Sequence, residues 1–503
     1  MKLSSIQEKI VSTEGNLIVR ASAGTGKTHT MVTKISKELN DNKTHKVIAA
    51  ITFTIKAAQE IKNRLSVDVV QQFIGTNNGF AIEEIIKPFI KDVYGSEFNL
   101  DLDTDYSNRV ETFEEGLEEI KQKCILSSYS DPNKNFIFEL AKKILINSEV
   151  CRLYLTSKYF KIYIDEYQDC DKDMHSLFMY ICEELKIDIF IVGDEKQSIY
   201  MWRGAYPEAF KSIWEKENFE KIFMGDNFRS CQQIQNYTNI LCEETRSLYK
   251  PVKSLENIIW INIDDTSSWE QQVLKEIDND QSSALLRFRV VSAKEGASAL
   301  STFGLNYAFI PQLPIANITT EASWLYSAIS KFCILEYYSV YDFVSDIPVE
   351  ADESKNNINK INIMLKEIEI NAGDLDEDNF NTSVKKLADY LNYSISIEHL
   401  RKLYETITDK SYHVAFEQEK YKHLAITFHS SKGLEFDQVI LFSEDYRLND
   451  ISSIYNHYVA SSRAKNKLII VSSNNYNSRC FEDNLKEICT ESDVSFSDLF
   501  KVQ

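Results

Sequence analysis

Glycine and proline are scarce in this 503-residue chain, at 14 and 7. That excludes collagen-like and low-complexity architectures, and it leaves no flexible linker from which boundaries could be read. The nine cysteines (124, 151, 170, 182, 231, 242, 333, 480 and 489) are odd in number and scattered singly. No CxxC pair or Cys/His cluster has zinc-ligand spacing, so reduced, mostly buried thiols of a cytoplasmic protein are expected. No apolar run reaches the roughly 18–20 residues that cross a bilayer. The opening Met1-Lys2-Leu3-Ser4-Ser5-Ile6-Gln7 carries no apolar signal-peptide core, so a soluble protein without a membrane partner is expected. Positive charge is in deficit, 56 Lys+Arg against 76 Asp+Glu, for a net −20. Indiscriminate coating of nucleic acid is therefore excluded, and any DNA site must be a local groove working against the overall field. What remains is ordinary: 43% hydrophobic and 26% charged residues. At about 150 residues per domain, the length suits three or four domains.

Boundaries must come from the alternation of strand and helix signals. Leu17-Ile18-Val19 is an apolar run ending in a Gly-rich turn, and Lys27 to Leu39 has helical periodicity. Val47 to Ile51 reads as the next strand and Ile55 to Leu65 as the next helix, the pattern of a parallel α/β sheet. From Ser66 to Lys158 the pattern is mostly helical. The sheet resumes at Phe160 to Ile164 and Ile187 to Val192. A second α/β region is expected from near Glu220, with strands at Ile258 to Ile261, Ala284 to Leu286, Leu424 to Phe428, Gln438 to Phe442 and Lys467 to Val471. The expected organisation is α/β. One sheet domain spans 1–65 and 159–219, interrupted by a helical insertion at 66–158. A second spans 220–314 and 421–503, interrupted by a short, acidic helical insertion at 315–420.

Ala21-Ser22-Ala23-Gly24-Thr25-Gly26-Lys27-Thr28 follows a strand and opens a helix. A triphosphate needs this arrangement: glycines let backbone N–H groups curl around phosphate, and a helix N-terminus adds favourable partial charge. Lys27 would reach the β/γ-phosphates and Thr28 would hold Mg²⁺. Position 21 is Ala where the general P-loop pattern has Gly.

The later strand end Tyr163-Ile164-Asp165-Glu166 supplies the partner site. A hard cation asks for oxygen ligands, so Asp165 suits Mg²⁺ directly or through water. Glu166 can orient and deprotonate the water that attacks the γ-phosphate. Such a pair alone also occurs as a solvated loop; combined with the P-loop it specifies a nucleoside triphosphatase.

Further segments follow in the order of the superfamily 1A helicases of the UvrD/Rep/PcrA type. Thr52-Phe53-Thr54-Ile55-Lys56-Ala57-Ala58 is similar to TFTNKAA, and Gly75-Thr76-Asn77-Asn78-Gly79-Phe80 to motif Ib with Asn78 in place of His. Asp165 to Asp169 reads DEYQD, and Val192-Gly193-Asp194 through Gln197-Ser198-Ile199-Tyr200 to Trp202-Arg203-Gly204-Ala205 is a near-complete motif III. Asn227-Phe228-Arg229-Ser230 resembles NYRS, Thr427 to Phe436 resembles VHSAKGLEF, and Tyr458 to Ala464 resembles YVAxTRA.

The resemblance implies two RecA-like domains (1A and 2A) with insertions 1B and 2B, and an ATPase using ATP, other NTPs or dNTPs with Mg²⁺. It implies that Gln7 reads the adenine, Phe228 stacks on the base and Glu435 accepts from the ribose. It makes Gln197 a γ-phosphate sensor and Arg229 and Arg463 arginine fingers from the second domain, neutralising charge on the transferred phosphoryl group. Phe53, Thr76, Trp202, Arg203 and His429 fall at DNA-contacting positions, for single-stranded or partly duplex DNA; a lone Trp or Phe is otherwise core packing. Polarity, 3′-to-5′, comes from the superfamily alone.

Phe73 to Phe80, Glu84 to Asp92, Tyr159 to Asp169 and Phe309-Ile310-Pro311-Gln312 are similar to the GajB family, the helicase-like subunits of the bacterial Gabija anti-phage system. That likeness implies a separate GajA-type OLD/TOPRIM nuclease in a hetero-oligomer; 66–158, with Glu84 to Asp92 foremost, is favoured over the acidic insertion as its contact surface, with mere packing of the helical insertion an equal alternative for Glu84 to Asp92. The 2B region is short and lacks a counterpart of the glycine-containing duplex-gripping motif, and with few residues after Arg463 no fused nuclease is expected. Two functions stay open: a DNA-stimulated motor or nucleotide-hydrolysing effector, and a DNA sensor whose slow hydrolysis licenses the nuclease.

Overall fold

Long β-branched runs buried on both faces become parallel strands flanked by helices. Val47–Thr52 is buried at every position, and Leu17–Ala21, Tyr159–Ile164 and Asp188–Gly193 at all but one each. The computed structural model describes residues 3–65, 69–199, 206, 208–263, 268–318, 322–347, 354–393 and 395–502. Its six-stranded sheet runs Phe73–Thr76, Val47–Thr52, Tyr159–Ile164, Asp188–Gly193, Leu17–Ala21 and Glu220–Met224, all parallel. Ile10, Met31 and Ile35 from the helices Ser5–Ser12 and Lys27–Asp41 pack on Leu17, Val19, Ile48 and Val192 of that sheet. The order matters for chemistry. It sets the C-terminal ends of the acidic strand, the Gly193 strand and the P-loop strand side by side, where open α/β sheets bind ligands.

Two edge strands differ from expectation. Glu220–Met224 pairs with Leu17–Ala21, Glu220 opposite Leu17, so the residues expected to open the second domain complete the first sheet. Its exposed Glu220 and Lys221 suit an edge and mask its sheet membership in the sequence. Phe73–Thr76, placed in the helical insertion, is the other edge. It is four residues long and contains Gly75, too short to carry a period.

The chain divides into two compact units, one of Met1–Leu102, Asn108–Ser267 and Lys432–Gln503, the other of Asp103–Ser107 and Ser268–Ser431. In the first, Phe436–Phe442, Ala464–Ser473, Ile258–Ile263 and Lys501–Val502 pair in that order, all parallel. The 432–503 segment thus groups with the P-loop sheet, since its side chains bond to that sheet's loops, as described below. In the second unit, His423–Thr427 pairs with Ser283–Arg287 on one side and Ala308–Phe309 on the other. Helices Ser323–Ile334, Lys355–Gly373, Glu377–Tyr390 and Ile397–Thr408 surround a core including Leu325, Ile329, Leu365, Phe380 and Leu403. Among the described residues, no helix is long and apolar enough to cross a membrane.

The 66–158 insertion is less helical than expected, with strands at Asp103–Val110 and Ile125–Tyr129. Within it, the segment favoured as a partner surface turns inward. Ile85, Ile86, Phe89 and Ile90 are buried, and a π-helical turn spans Ile82–Ile86. Buried Glu84 accepts from Lys158 Nζ at 2.9 and 2.7 Å and from the Tyr154 hydroxyl at 2.8 Å. The periodicity of Glu84 to Asp92 therefore records packing of the insertion. Glu84→Ala leaves a half-buried ammonium and a phenol without their carboxylate and should cost about 2 kcal/mol. The exposed Glu83–Lys87 pair should matter by less than about 0.5 kcal/mol. Denaturant midpoints of the two alanine variants check this; equal small losses would make the Glu84 cluster a surface feature.

Candidate functional site

The strand Leu17–Ala21 delivers the P-loop into the helix Lys27–Asp41. Gly24 and Gly26 have φ of +73° and +81°, the left-handed region where a side chain is strained. A Cβ on Gly24 would also lie 2.4 Å from Asn227 Oδ1 and 2.7 Å from Arg229 Cβ, so glycine is what lets the Asn227-Phe228-Arg229 loop close on the P-loop. The Phe228 N–H donates to the Gly24 carbonyl at 2.9 Å. Lys27 Nζ is buried without a hydrogen-bond partner, facing Glu166 Oε1 at 3.5 Å. A buried ammonium with only a long ion pair, over a glycine-rich helix N-terminus, is the arrangement a polyphosphate completes.

The acidic strand end lies alongside. Thr28 Oγ1 is 3.5 Å from Asp165 Oδ2, giving two hard oxygens fit for a cation that nucleotide phosphates and water also ligate. Among the described residues no cluster of three or more His, Cys, Asp or Glu is placed to hold a metal. Burial, and next the charge of Glu166, push the Asp165 carboxyl up to about 7, against Lys27. Desolvation acts upward on Glu166 as well, but that side chain keeps 31% of its exposure. The Lys27 and Lys432 ammonium groups and the Gln168 amide outweigh it and hold Glu166 down to about 2. Glu166 is therefore an anion at neutral pH. Its backbone sits at φ +52°, a left-handed conformation that costs a non-glycine residue about 1–3 kcal/mol and is found at functional sites.

The remaining nucleotide-site candidates converge on the same place. Gln197 Nε2 donates to Asp194 Oδ2 at 2.8 Å, and its Oε1 faces Arg463 Nη2 at 3.4 Å. Arg463 is almost wholly buried, donating to the carbonyls of Val459 (2.9 Å) and Leu434 (3.3 Å) and to Ser462 Oγ (3.0 Å). Burial, and then the like charge of Arg229, lower its pKa to about 10, so it stays a cation at neutral pH. Arg229 is held by Glu435 at 2.7 Å, and Lys465 reaches the other oxygen of Glu435 at 2.7 Å. Phe228 is 53% exposed beside the P-loop, as a base-stacking ring must be. Gln7 is buried beside the P-loop: it closes the capping box of helix Ser5–Ser12 with Ser4 and donates to the Thr25 carbonyl at 3.2 Å.

The DNA-contact candidates are less gathered. Phe53 is partly exposed after strand Val47–Thr52, while Thr76 Oγ1 caps the helix Asn77–Ala81 by accepting from Gly79 N–H at 3.1 Å. In the other unit His429 lies 3.8 Å, ring centre to ring centre, from Phe428. Trp202 and Arg203 lie outside the described residues. Five further residues carry no role predictable from the sequence: Asp169 and Lys432, which pair at 2.5 Å beside Glu166, and Asp194, Lys196 and Tyr458. All five lie inside the helicase-like segments, so the signal was position within a motif.

Residues 6–203 match the AAA domain family, and 368–472 match the viral superfamily 1 RNA helicase core domain. The chain is 41% identical over 491 residues to the Gabija protein GajB of Bacillus cereus, covering 96% of this chain and 98% of that protein. It belongs to the GajB family. It is also 28% identical to the ATP-dependent DNA helicase PcrA of Staphylococcus epidermidis, over 47% of this chain and 39% of PcrA. To the PcrA of Staphylococcus aureus it is 29% identical, over 46% of this chain and 38% of that helicase. This member of the GajB family is a superfamily 1 helicase-like enzyme that hydrolyses ATP, and its parallel sheets are those of RecA-like domains.

Proposed function

We propose that the protein is a DNA-stimulated ATPase with 3′-to-5′ translocase mechanics, acting with a separate GajA-type nuclease in the bacterial cytoplasm against phage. The observation that carries the hydrolytic part is the meeting of Lys27, Asp165, Glu166, Gln197, Arg229 and Arg463 within one compact unit. In this reading the P-loop Ala21 to Thr28, through its amides beyond Ala23, and the Lys27 ammonium bind the triphosphate. Gln7, Phe228 and Glu435 hold the nucleoside, and Thr28 with Asp165 holds Mg²⁺. When bound there, the cation would supply charge neutralisation of the phosphates. Glu166, kept anionic by Lys27 and Lys432, takes the proton of the attacking water. Arg229 and Arg463 offset the charge that develops on the γ-phosphoryl group. The four-part division into 1A, 1B, 2A and 2B belongs to the same reading.

One observation favours the alternative of a sensor with slow basal turnover: Arg229 is already engaged by Glu435, so its guanidinium must be released before it can act as a finger. Hydrolysis measured with and without single-stranded DNA, and with and without the nuclease, separates the two. A motor should be accelerated at least about tenfold by DNA alone; a sensor should stay slow until both are present. Trp202→Ala should blunt the DNA response while sparing the basal rate, because one stacked base contributes about 1–3 kcal/mol. Equal loss of basal and stimulated rates would make Trp202 structural.

A further inference from the structure

One buried carboxylate ties together the P-loop, the sensor glutamine and the helix that leads to Arg463. Asp194 follows the strand Asp188–Gly193 and has no exposed surface. Its Oδ2 accepts from Gln197 Nε2 at 2.8 Å and from the Tyr458 hydroxyl at 3.1 Å. Its Oδ1 accepts from the Lys196 N–H at 3.3 Å and faces the Lys196 ammonium at 3.4 Å. Lys196 Nζ then donates to Ser22 Oγ at 3.0 Å and stands 5.2 Å over the Tyr458 ring. The Tyr458 hydroxyl closes the circuit by accepting the Ala23 N–H at 3.0 Å. Ser22 and Ala23 are thus both gripped, and Tyr458, 2% exposed, uses its hydroxyl as acceptor and donor at once.

Burying a lysine, an aspartate and a phenol together is a costly way to fill space, and a fully satisfied polar network of this kind fixes orientation. Tyr458 ends on the helix Ile451–Ser461, and Arg463 is anchored by Val459 and Ser462 at that helix's end. The same hydroxyl therefore joins the P-loop backbone to the Gln197–Arg463 contact. We propose that Tyr458 is a positioning residue for hydrolysis, its hydroxyl coupling the P-loop at Ala23 to Gln197 and Arg463 through Asp194. The proposal rests on the reading of Gln197 and Arg463 as hydrolytic residues. Because the Ala23 N–H is spent on Tyr458, the hydroxyl governs how the reacting groups line up more than how tightly nucleotide is held. Small misplacements of that sort are felt in the rate.

The test is a double-mutant cycle on the full chain with Mg²⁺-ATP, reading kcat and KM separately. Tyr458→Phe keeps the ring and should lower kcat about tenfold, the loss expected for a hydrogen bond to a buried charge, with KM within about threefold. In a Gln197→Ala background the same substitution should cost less than about twofold, because coupled residues are not additive. Ser22→Ala, which removes the acceptor of Lys196, should also lower kcat and lose its effect beside Gln197→Ala. That second cycle decides alone if Tyr458→Phe does not fold. Additive losses, or a KM that rises as much as kcat falls, would overturn the positioning role while leaving the site reading intact. Wild-type turnover in Gln197→Ala itself would overturn the site reading, and the proposal with it.

Discussion

Glu166→Gln protein should bind Mg²⁺-ATP nearly as well as wild type and hydrolyse it roughly 10²- to 10⁴-fold more slowly, the range for losing a general base. The amide keeps the size of the side chain and can still pair with Gln168, but it cannot take a proton from water. Lys27→Ala should fail differently. Lys27 Nζ is the buried cation over the phosphate cradle, facing only Glu166 at 3.5 Å, so its loss should weaken nucleotide binding as well as turnover. Equilibrium binding of a fluorescent ATP analogue beside steady-state phosphate release separates the two variants. Turnover at the wild-type rate in Glu166→Gln would remove it from the chemistry and leave Asp165 as the sole candidate base.

Arg463→Ala should lower turnover by about a thousandfold while ADP affinity changes only a few-fold, because a finger acts where charge develops in the transition state. The environment of Arg463 sharpens this expectation. Its guanidinium meets two backbone carbonyls, a serine hydroxyl and Gln197 in a rigid fork. Lysine carries the charge without the fork, so Arg463→Lys should stay closer to alanine than to wild type. Thermal unfolding must be followed alongside, since truncating a buried arginine removes one donor from the Leu434 carbonyl and one from that of Val459, which keeps Ser462 Oγ at 2.9 Å. A parallel fall in affinity and turnover would make Arg463 a ground-state binding residue.

The nucleotide half of the site was legible because its chemistry is local in sequence. Ala21 to Thr28 form one turn and Asp165-Glu166 one strand end, and the parallel order of the sheet does the rest. Strands such as Val47–Thr52 were readable for the same reason: runs buried on both faces leave little ambiguity. What escaped was carried by short or two-faced segments. Glu220–Met224 hid its place in the first sheet behind a charged start, and Phe73–Thr76 was too brief to show alternation. Glu84 to Asp92 showed an apolar periodicity that sequence alone cannot assign to core or partner; the Glu84–Lys158 pair assigns it to core. Tyr458, Lys196 and Lys432 escaped for another reason. Their partners lie far along the chain, and nothing in a single sequence reports which buried hydroxyl or ammonium a fold will bring to a given carboxylate.

The left-handed backbone of Glu166 bears on how such a chain can change over evolutionary time. At φ +52° a glycine or asparagine would relax the turn, so, on the base role proposed for Glu166, the same replacement would both ease the backbone and still hydrolysis. A protein of this family could therefore lose its hydrolytic activity without losing its shape. An inherited copy with Gly or Asn in that place would be expected to persist as a well-folded nucleotide binder. On the base role proposed for Glu166, the identity of this one residue, more than overall similarity, should separate working relatives from silent ones.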